Sequence, residues 1–420
     1  MHETRLVRRR RMAGLLAILC AGIIFQSVSF GEQSGRPEGL TLESFQFGPV
    51  NRWSFSHLRE VLPTVNIARD PDRFLALHPG EDLVTDFSVV FQGREQTIEE
   101  IAAHQFIDGL LVIRDGEIVF EEYYGHLTED RPHLMNSISK SVVALVAGKL
   151  ADQGVIDLAK PVSHYVPALA DSGWAPDSLQ TVLDMRDGSA YTEDYPDFTT
   201  TFRIQDCAIG WTDADYCPED GPRGLYEFLP TIGRDESKLG KFSYRSGSTD
   251  VIGWVLEAAT GQPLAELISE HVWRPMGAEF DANITVDEGG AVLADHGMSS
   301  TLRDLGRVGL LMLNGGKAFG EEVIPAAFIQ DILTQDGDAA WPYAAGDGLE
   351  PYYRSFWWGE GNSGGDVSGY GIHGQFVRVV PKDRIVIAMY STWPRADGDG
   401  VTHGWDVTAE LMEALIDEFR

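Results

Sequence analysis

The chain of 420 residues is 43% hydrophobic and 10% aromatic, enough to fill one large two-lobed domain or two ordinary ones. Its formal net charge of −31 speaks against nucleic acid as a partner, because the phosphates would be repelled. It holds three cysteines, but neither a Cys-x-x-Cys nor a His-Glu-x-x-His, so no zinc site is indicated.

The N-terminus reads as a secretory signal over residues 1–29. Arg5 and Arg8 to Arg11 form a basic region, Ala13 to Phe25 an apolar one, and Ser27-Val28-Ser29 a cleavage site. Thirteen apolar residues are short for a membrane span. Leu19 is too large for the position before a lipidated Cys20, and the arginine run hints at twin-arginine export. Cleavage removes five arginines and one glutamate and leaves a charge of −35. The expected product is exported, periplasmic or extracellular, with no stable membrane span.

Residues 30–105 read as an N-terminal extension packed on a main domain of residues 106–420. The extension is irregular, punctuated by Pro37, Pro49, Pro63, Pro71 and Pro79, with a short helical piece from Ser54 to Leu62. A hairpin follows, with strands over 108–114 and 117–124 and a turn at Asp115-Gly116. Ser137 then stands three residues before Lys140, at the head of an apolar run, Val142 to Ala151, that should be helical up to Gly154. On a helix such a pair shares one face. A lysine made neutral by burial and a positive neighbourhood could take the proton of the serine hydroxyl. Backbone N–H groups at the helix start could hold an oxyanion. The same spacing also suits a capping serine followed by a solvated lysine.

The middle of the chain carries helical patterns at 178–185, 249–259, 263–273, 301–314 and 325–333. Between Gly188 and Gly240 it is polar, aromatic and without period. Cys207 and Cys217 lie in that stretch, and an even pair in an exported chain reads as a disulfide. Glu193 and Asp194 could serve acid–base chemistry of the glycosidase kind, but nothing pairs them specifically. Asp213, Asp215, Glu219 and Asp220 read as a solvated acidic run. Tyr244 and Ser246 precede the 249–259 helix and project to one side of an extended segment, as a proton relay or as packing and capping residues. Beyond residue 350, strands are expected at 352–359, 367–372, 375–380 and 384–391, then a helix at 410–419. Gly369, Gly371 and Gly374 in that region mark either close approach of another backbone or a turn. His373 among them could be a base, but a histidine beside a turn is more often structural.

In this order, Ser-x-x-Lys, Tyr-x-Ser and a glycine-bearing strand, the chain resembles the serine β-lactamase and penicillin-binding-protein superfamily on its class C side. Within it the chain is most similar to the 6-aminohexanoate-dimer (nylon-oligomer) hydrolases and related carboxylesterases. The phrases that carry the likeness are Met135 to Ser141, Val162 to Pro167, Leu183 to Gly188, Glu193-Asp194-Tyr195, Tyr244-Arg245-Ser246 with Asp250 and Gly253-Trp254, and Ile372 to Gln375. The resemblance implies an α/β plus all-α, β-lactamase/transpeptidase-like fold: an antiparallel sheet lobe built from both termini, with a mostly helical lobe inserted at about 160–335. It implies a serine hydrolase without cofactor or metal, acting on a small ester or linear amide through an acyl-enzyme. Ser137 would be the nucleophile, Lys140 its base and Tyr244 the proton donor to the leaving group. The N–H groups of Ser137 and Ile372 would form the oxyanion hole. Ser246 stands where many relatives have asparagine, and Tyr195 matches a tyrosine that contacts the amide substrate. Tyr370 lies in Gly369-Tyr370-Gly371, where β-lactamases carry Lys-Thr-Gly. Without a lysine at 369 the cation that holds a β-lactam carboxylate is missing. Two alternatives remain, a β-lactamase or D-Ala-D-Ala carboxypeptidase and a non-catalytic ligand-binding relative.

Overall fold

The Asp115-Gly116 turn has both residues in left-handed backbone, φ 52° and 88°, the conformation a two-residue hairpin loop requires. It joins β1 (Ile107–Arg114) to β2 (Glu117–Tyr123). The computed structural model describes residues 35–334, 351–361 and 364–420. The expected export signal lies outside the described residues. Contacts divide the chain between Arg36 and Pro37, and the elements below belong to the unit Pro37–Arg420.

Five further strands come from the C-terminal part: β3 (Tyr352–Arg354), β4 (Trp357–Gly359), β5 (Val367–Gly371), β6 (Gln375–Val380) and β7 (Ile385–Ser391). They form one antiparallel sheet in the order β3-β4-β5-β6-β7-β1-β2. The central strands are apolar at nearly every position because both faces are covered. Leu111, Ile113, Val386 and Ala388 point into one core. Leu110, Val112, Ile385, Ile387 and Met389 point into the other. The first face carries α1 (Ile138–Asp152) and α4 (Leu302–Leu313). The second carries α5 (Trp405–Phe419) and the helix Ile98–Gln105. Between β2 and β3 lies the helical lobe, with α2 (Thr201–Ala208) and α3 (Ser246–Thr260). This is the β-lactamase/transpeptidase-like arrangement the resemblance implies. Among the described residues no helix is long and apolar enough to cross a membrane.

Three local expectations need correction. The strand expected over 352–359 is a hairpin, because Ser355 and Phe356 (φ 47° and 59°) turn the chain and the Ser355 N–H is held by Asp184 at 3.0 Å. The last helix begins at Trp405, five residues before its expected start. The aperiodic 188–240 stretch contains α2, whose last turn carries Cys207; Cys207 is bonded to Cys217, with Cα atoms 5.5 Å apart. Residues 37–105 contribute Phe45, Trp53 and Phe55 to the core and a strand, Thr64–Ile67, paired with Ala282–Thr285.

Candidate active site

Ser137 stands immediately before α1, and its side chain makes no capping bond. Asn136 turns the chain into the helix at φ 47°, a conformation asparagine tolerates better than most residues. Its Nδ2 donates to the Ile372 carbonyl at 2.9 Å, tying the serine turn to the end of β5. On the other side Met135 N–H donates to Met298 O, and Ser139 Oγ accepts from Met298 N–H. The serine is thus fixed from two sides. The glycines of β5 mark close approach of α1. A Cβ at Gly371 would lie 2.5 Å from the Met135 carbonyl oxygen, and one at Gly369 3.2 Å from Ser141 Oγ.

Lys140 is 1% exposed, which rules out the solvated lysine. Its Nζ donates to Ser137 Oγ at 2.9 Å and to the Asp295 carbonyl at 2.8 Å. The Tyr244 ring centroid lies 5.2 Å from that Nζ. The expected positive neighbourhood is overturned. Burial pulls the Lys140 ammonium down, but Tyr244, Asp295, Glu193 and Asp250 together push it above its ordinary value. Burial raises the Tyr244 phenol, and the lysine charge with hydrogen bonds to Ser137 and Lys140 offsets only part of that. At rest the lysine is therefore an ammonium and the tyrosine a neutral phenol.

Ser137 opens into a cavity of about 570 Å³, lined also by Glu193, Tyr195, Tyr244, Trp358, Tyr370, Ile372, Trp405 and Asp406. That volume suits a small organic molecule. Tyr244 stacks on Trp358, with centroids 5.7 Å apart. Among the described residues, the backbone N–H groups of Ser137 and Ile372 donate to no protein acceptor. Glu193 organises one wall. Its Oε1 accepts from Tyr195 Oη at 2.8 Å and Ser246 Oγ at 2.9 Å, and its Oε2 from Ser246 N–H at 2.7 Å. Ser246 is thus spent on Glu193 at the head of α3. The Tyr370 hydroxyl donates to Glu360.

His373 does not line the cavity. It is buried, its Nδ1–H donates to the Trp393 carbonyl at 2.7 Å, and burial lowers its pKa to about 4, so it is a neutral packing residue. The disulfide pair is also outside the lining; it closes the end of α2. Sequence reasoning weighed Glu193 only for glycosidase-type acid–base chemistry and not as the organiser of this wall, and it missed Trp358, Trp405 and Asp406. The only signal for Glu193 is its place two residues before Tyr195. Trp405 and Asp406 precede the helix as it reads from sequence.

The Beta-lactamase family profile matches residues 94–409. The chain is 38% identical over 380 residues to the 6-aminohexanoate-dimer hydrolase of Paenarthrobacter ureafaciens, covering 87% of this chain and 91% of that one. Among solved structures, the Bacillus anthracis protein named "Putative 6-aminohexanoate-dimer hydrolase" superposes with a TM-score of 0.81 at 26% identity, over 91% of this chain and 96% of that one. A family VIII carboxylesterase superposes at 0.56 with 17% identity, over 77% and 96%, a likeness of fold.

Proposed function

Since the chain belongs to the beta-lactamase family of serine hydrolases, we propose that it hydrolyses small carboxylic esters, and linear amides of the 6-aminohexanoate-oligomer type, through an acyl-Ser137 intermediate. The observation that carries this is the 2.9 Å contact of Lys140 Nζ with Ser137 Oγ at the foot of an aromatic cavity.

In the productive state the Lys140 amine is neutral and takes the Ser137 proton as Oγ attacks the carbonyl carbon. The substrate oxygen becomes an oxyanion beside the N–H groups of Ser137 and Ile372, which donate to no other acceptor among the described residues. Tyr244 passes a proton to the departing alcohol or amine and is recharged by Lys140. Water then cleaves the acyl-serine by the reverse transfers. Tyr195 faces the substrate from the Glu193 wall. The supporting likeness to the Paenarthrobacter enzyme bears on the amide, and the carboxylesterase fold on the ester. The disulfide suits an exported protein.

The test is mass spectrometry of the protein mixed with a short p-nitrophenyl ester and, separately, with the linear 6-aminohexanoate dimer. A transient acyl adduct on the peptide carrying Ser137, absent in Ser137→Ala, is expected. Full esterase activity in Ser137→Ala would refute the mechanism. Hydrolysis of a chromogenic cephalosporin as fast as the ester would instead favour a lactam or cell-wall substrate.

A further inference from the structure

Behind Lys140, away from the cavity, lie buried groups that the reaction as proposed does not use. Asp295 meets the lysine through its backbone, whose carbonyl accepts from Nζ at 2.8 Å. Its own N–H donates to Asp250 Oδ1 at 3.2 Å. Gln205 Nε2 then bridges the two carboxyl groups, 2.7 Å from Asp250 Oδ2 and 3.3 Å from Asp295 Oδ2. The Gln205 carbonyl oxygen is taken by the Tyr191 hydroxyl at 2.9 Å, so only its NH₂ end can face the carboxyls. Gln205 and Asp295 are 0% exposed and Asp250 is 1% exposed.

Two carboxyl groups sharing one buried space cannot both ionise cheaply. His296 Nδ1 lies 2.6 Å from Asp295 Oδ1, and among the described residues no basic side chain forms an ion pair with Asp250. Asp295 is therefore the ionised member, held below the usual carboxylate range despite its burial, while burial and the Asp295 charge keep Asp250 protonated. The charged and titratable groups facing Lys140 are then Tyr244 before α3, Asp250 on α3, Asp295 after the strand Ala282–Thr285, and Glu193 from the loop after Leu183. Those facing Asp295 are Lys140, Asp250 and His296, and Asp206 lies 3.8 Å beyond His296.

We infer that Asp295, Asp250 and Gln205 are positioning residues: a buried carboxyl pair, bridged by one amide, that seats Lys140 Nζ against Ser137 Oγ and holds it as an ammonium at rest. This rests on Lys140 being the base. The carboxylate lowers the neutral fraction of the amine, yet it stabilises the ammonium formed when the Ser137 proton arrives. The base is scarcer and stronger than an isolated buried lysine.

The chain has seven lysines, few enough for NMR of the full protein labelled with ¹³Cε-lysine, with Lys140 assigned by the signal lost in Lys140→Arg. In the wild type the Lys140 signal should remain that of an ammonium up to its ordinary pKa of 10.5 and beyond. Titration clearly below that would overturn the inference without any variant. Asp295→Asn should lower the titration by roughly one pH unit, as loss of one nearby charge predicts. The rising limb of kcat/KM against pH should move with it. Asp250→Asn, which replaces an uncharged acid with an amide, should move it by less than half as much. Gln205→Glu sets a third carboxyl against that pair, where it should stay protonated and donate as the amide does, so it too should move the titration by less than half as much; the wild-type titration serves if Asp295→Asn does not fold. A shift under roughly 0.3 unit in Asp295→Asn would refute the inference, and a larger shift in Asp250→Asn than in Asp295→Asn would refute the charge assignment. The NMR arm needs no turnover. Absence of an acyl adduct overturns the hydrolase reading, whereas an unmoved lysine overturns only this one.

Discussion

Glu193→Gln is a near-isosteric change with a consequence that can be worked from three hydrogen bonds. Both carboxylate oxygens are acceptors in the native wall: Oε1 takes Tyr195 Oη–H and Ser246 Oγ–H, and Oε2 takes the Ser246 N–H. Glutamine offers one oxygen and one NH₂ group. With its oxygen at the Oε1 position, the new NH₂ faces the Ser246 N–H at 2.7 Å, donor against donor. With the amide flipped, the NH₂ faces both hydroxyls, which can rotate, and the oxygen keeps the backbone N–H. The flipped form is the better one, but it gives up the charge-assisted strength of all three bonds. A hydrogen bond to a charged group contributes about 1.5–3 kcal/mol and a neutral one about 1. Three bonds each weakened by roughly 0.5–1 kcal/mol give a loss of about 1.5–3 kcal/mol in stability. Urea unfolding followed by tryptophan fluorescence measures it. Activity should fall as well, because Tyr195 is freed from its bond and the carboxylate that favours the Lys140 ammonium is gone. A stability change below about 0.5 kcal/mol, with unaltered ester turnover, would show that Glu193 does not organise this wall.

Three other outcomes follow. Lys140→Ala should lower kcat/KM for a p-nitrophenyl ester by several orders of magnitude, since an unassisted serine is a poor nucleophile; a loss under roughly tenfold would remove the lysine from the base role. Replacing Cys207 and Cys217 together by serine should cost about 2–3 kcal/mol for a loop of ten residues, read as a lower urea midpoint, and a midpoint unchanged by the replacement would mean that the bridge constrains little. His373 titrates near 4 when folded against 6.5 as its ordinary value, so the unfolded chain binds its proton first. Its contribution is complete above about pH 6.5 and is lost as pH falls toward 4, up to about 3 kcal/mol. His373→Phe should flatten that part of the stability–pH curve, and an identical slope in wild type and variant would refute the assignment.

The parts of the site that were legible in the sequence are those whose chemistry depends on local spacing. Ser137 and Lys140 meet because three residues of helix bring them together, and Tyr244 stands at the head of the next long helix. The hairpin at Asp115-Gly116 and the strands 375–380 and 385–391 follow from turn residues and apolar runs. Interactions between distant segments had no such signal. The Asp250–Asp295 contact joins residues 45 apart, and the bond from Asn136 to Ile372 spans 236. The sequence reading asked for a positive neighbourhood around Lys140, and the tertiary fold gathers acidic groups there instead. At 352–359 an aromatic-rich run, interrupted by Arg354 and Ser355, concealed a turn held by Asp184, a residue from the other lobe.

The missing lysine at 369 has a packing cause as well as a chemical consequence. An added Cβ there would stand 3.0 Å from Val377 Cγ1, 3.2 Å from Ser141 Oγ and 3.3 Å from Ile138 Cγ2. These atoms belong to the neighbouring strand and to the first turn of α1, the turn that Ser137 opens. Any side chain at 369 would need these neighbours to give by a few tenths of an ångström before it could be seated there. The cavity wall is consistent with this. Among the described residues no arginine or lysine lines it, and its two charged members, Glu193 and Asp406, are carboxylates among five aromatic rings. An anionic substrate group at that wall would meet like charge at low dielectric, while a neutral acyl chain would meet aromatic faces. The close seat of β5 on α1 thus leaves little slack for a side chain at 369, the position at which a lysine for a β-lactam carboxylate would stand.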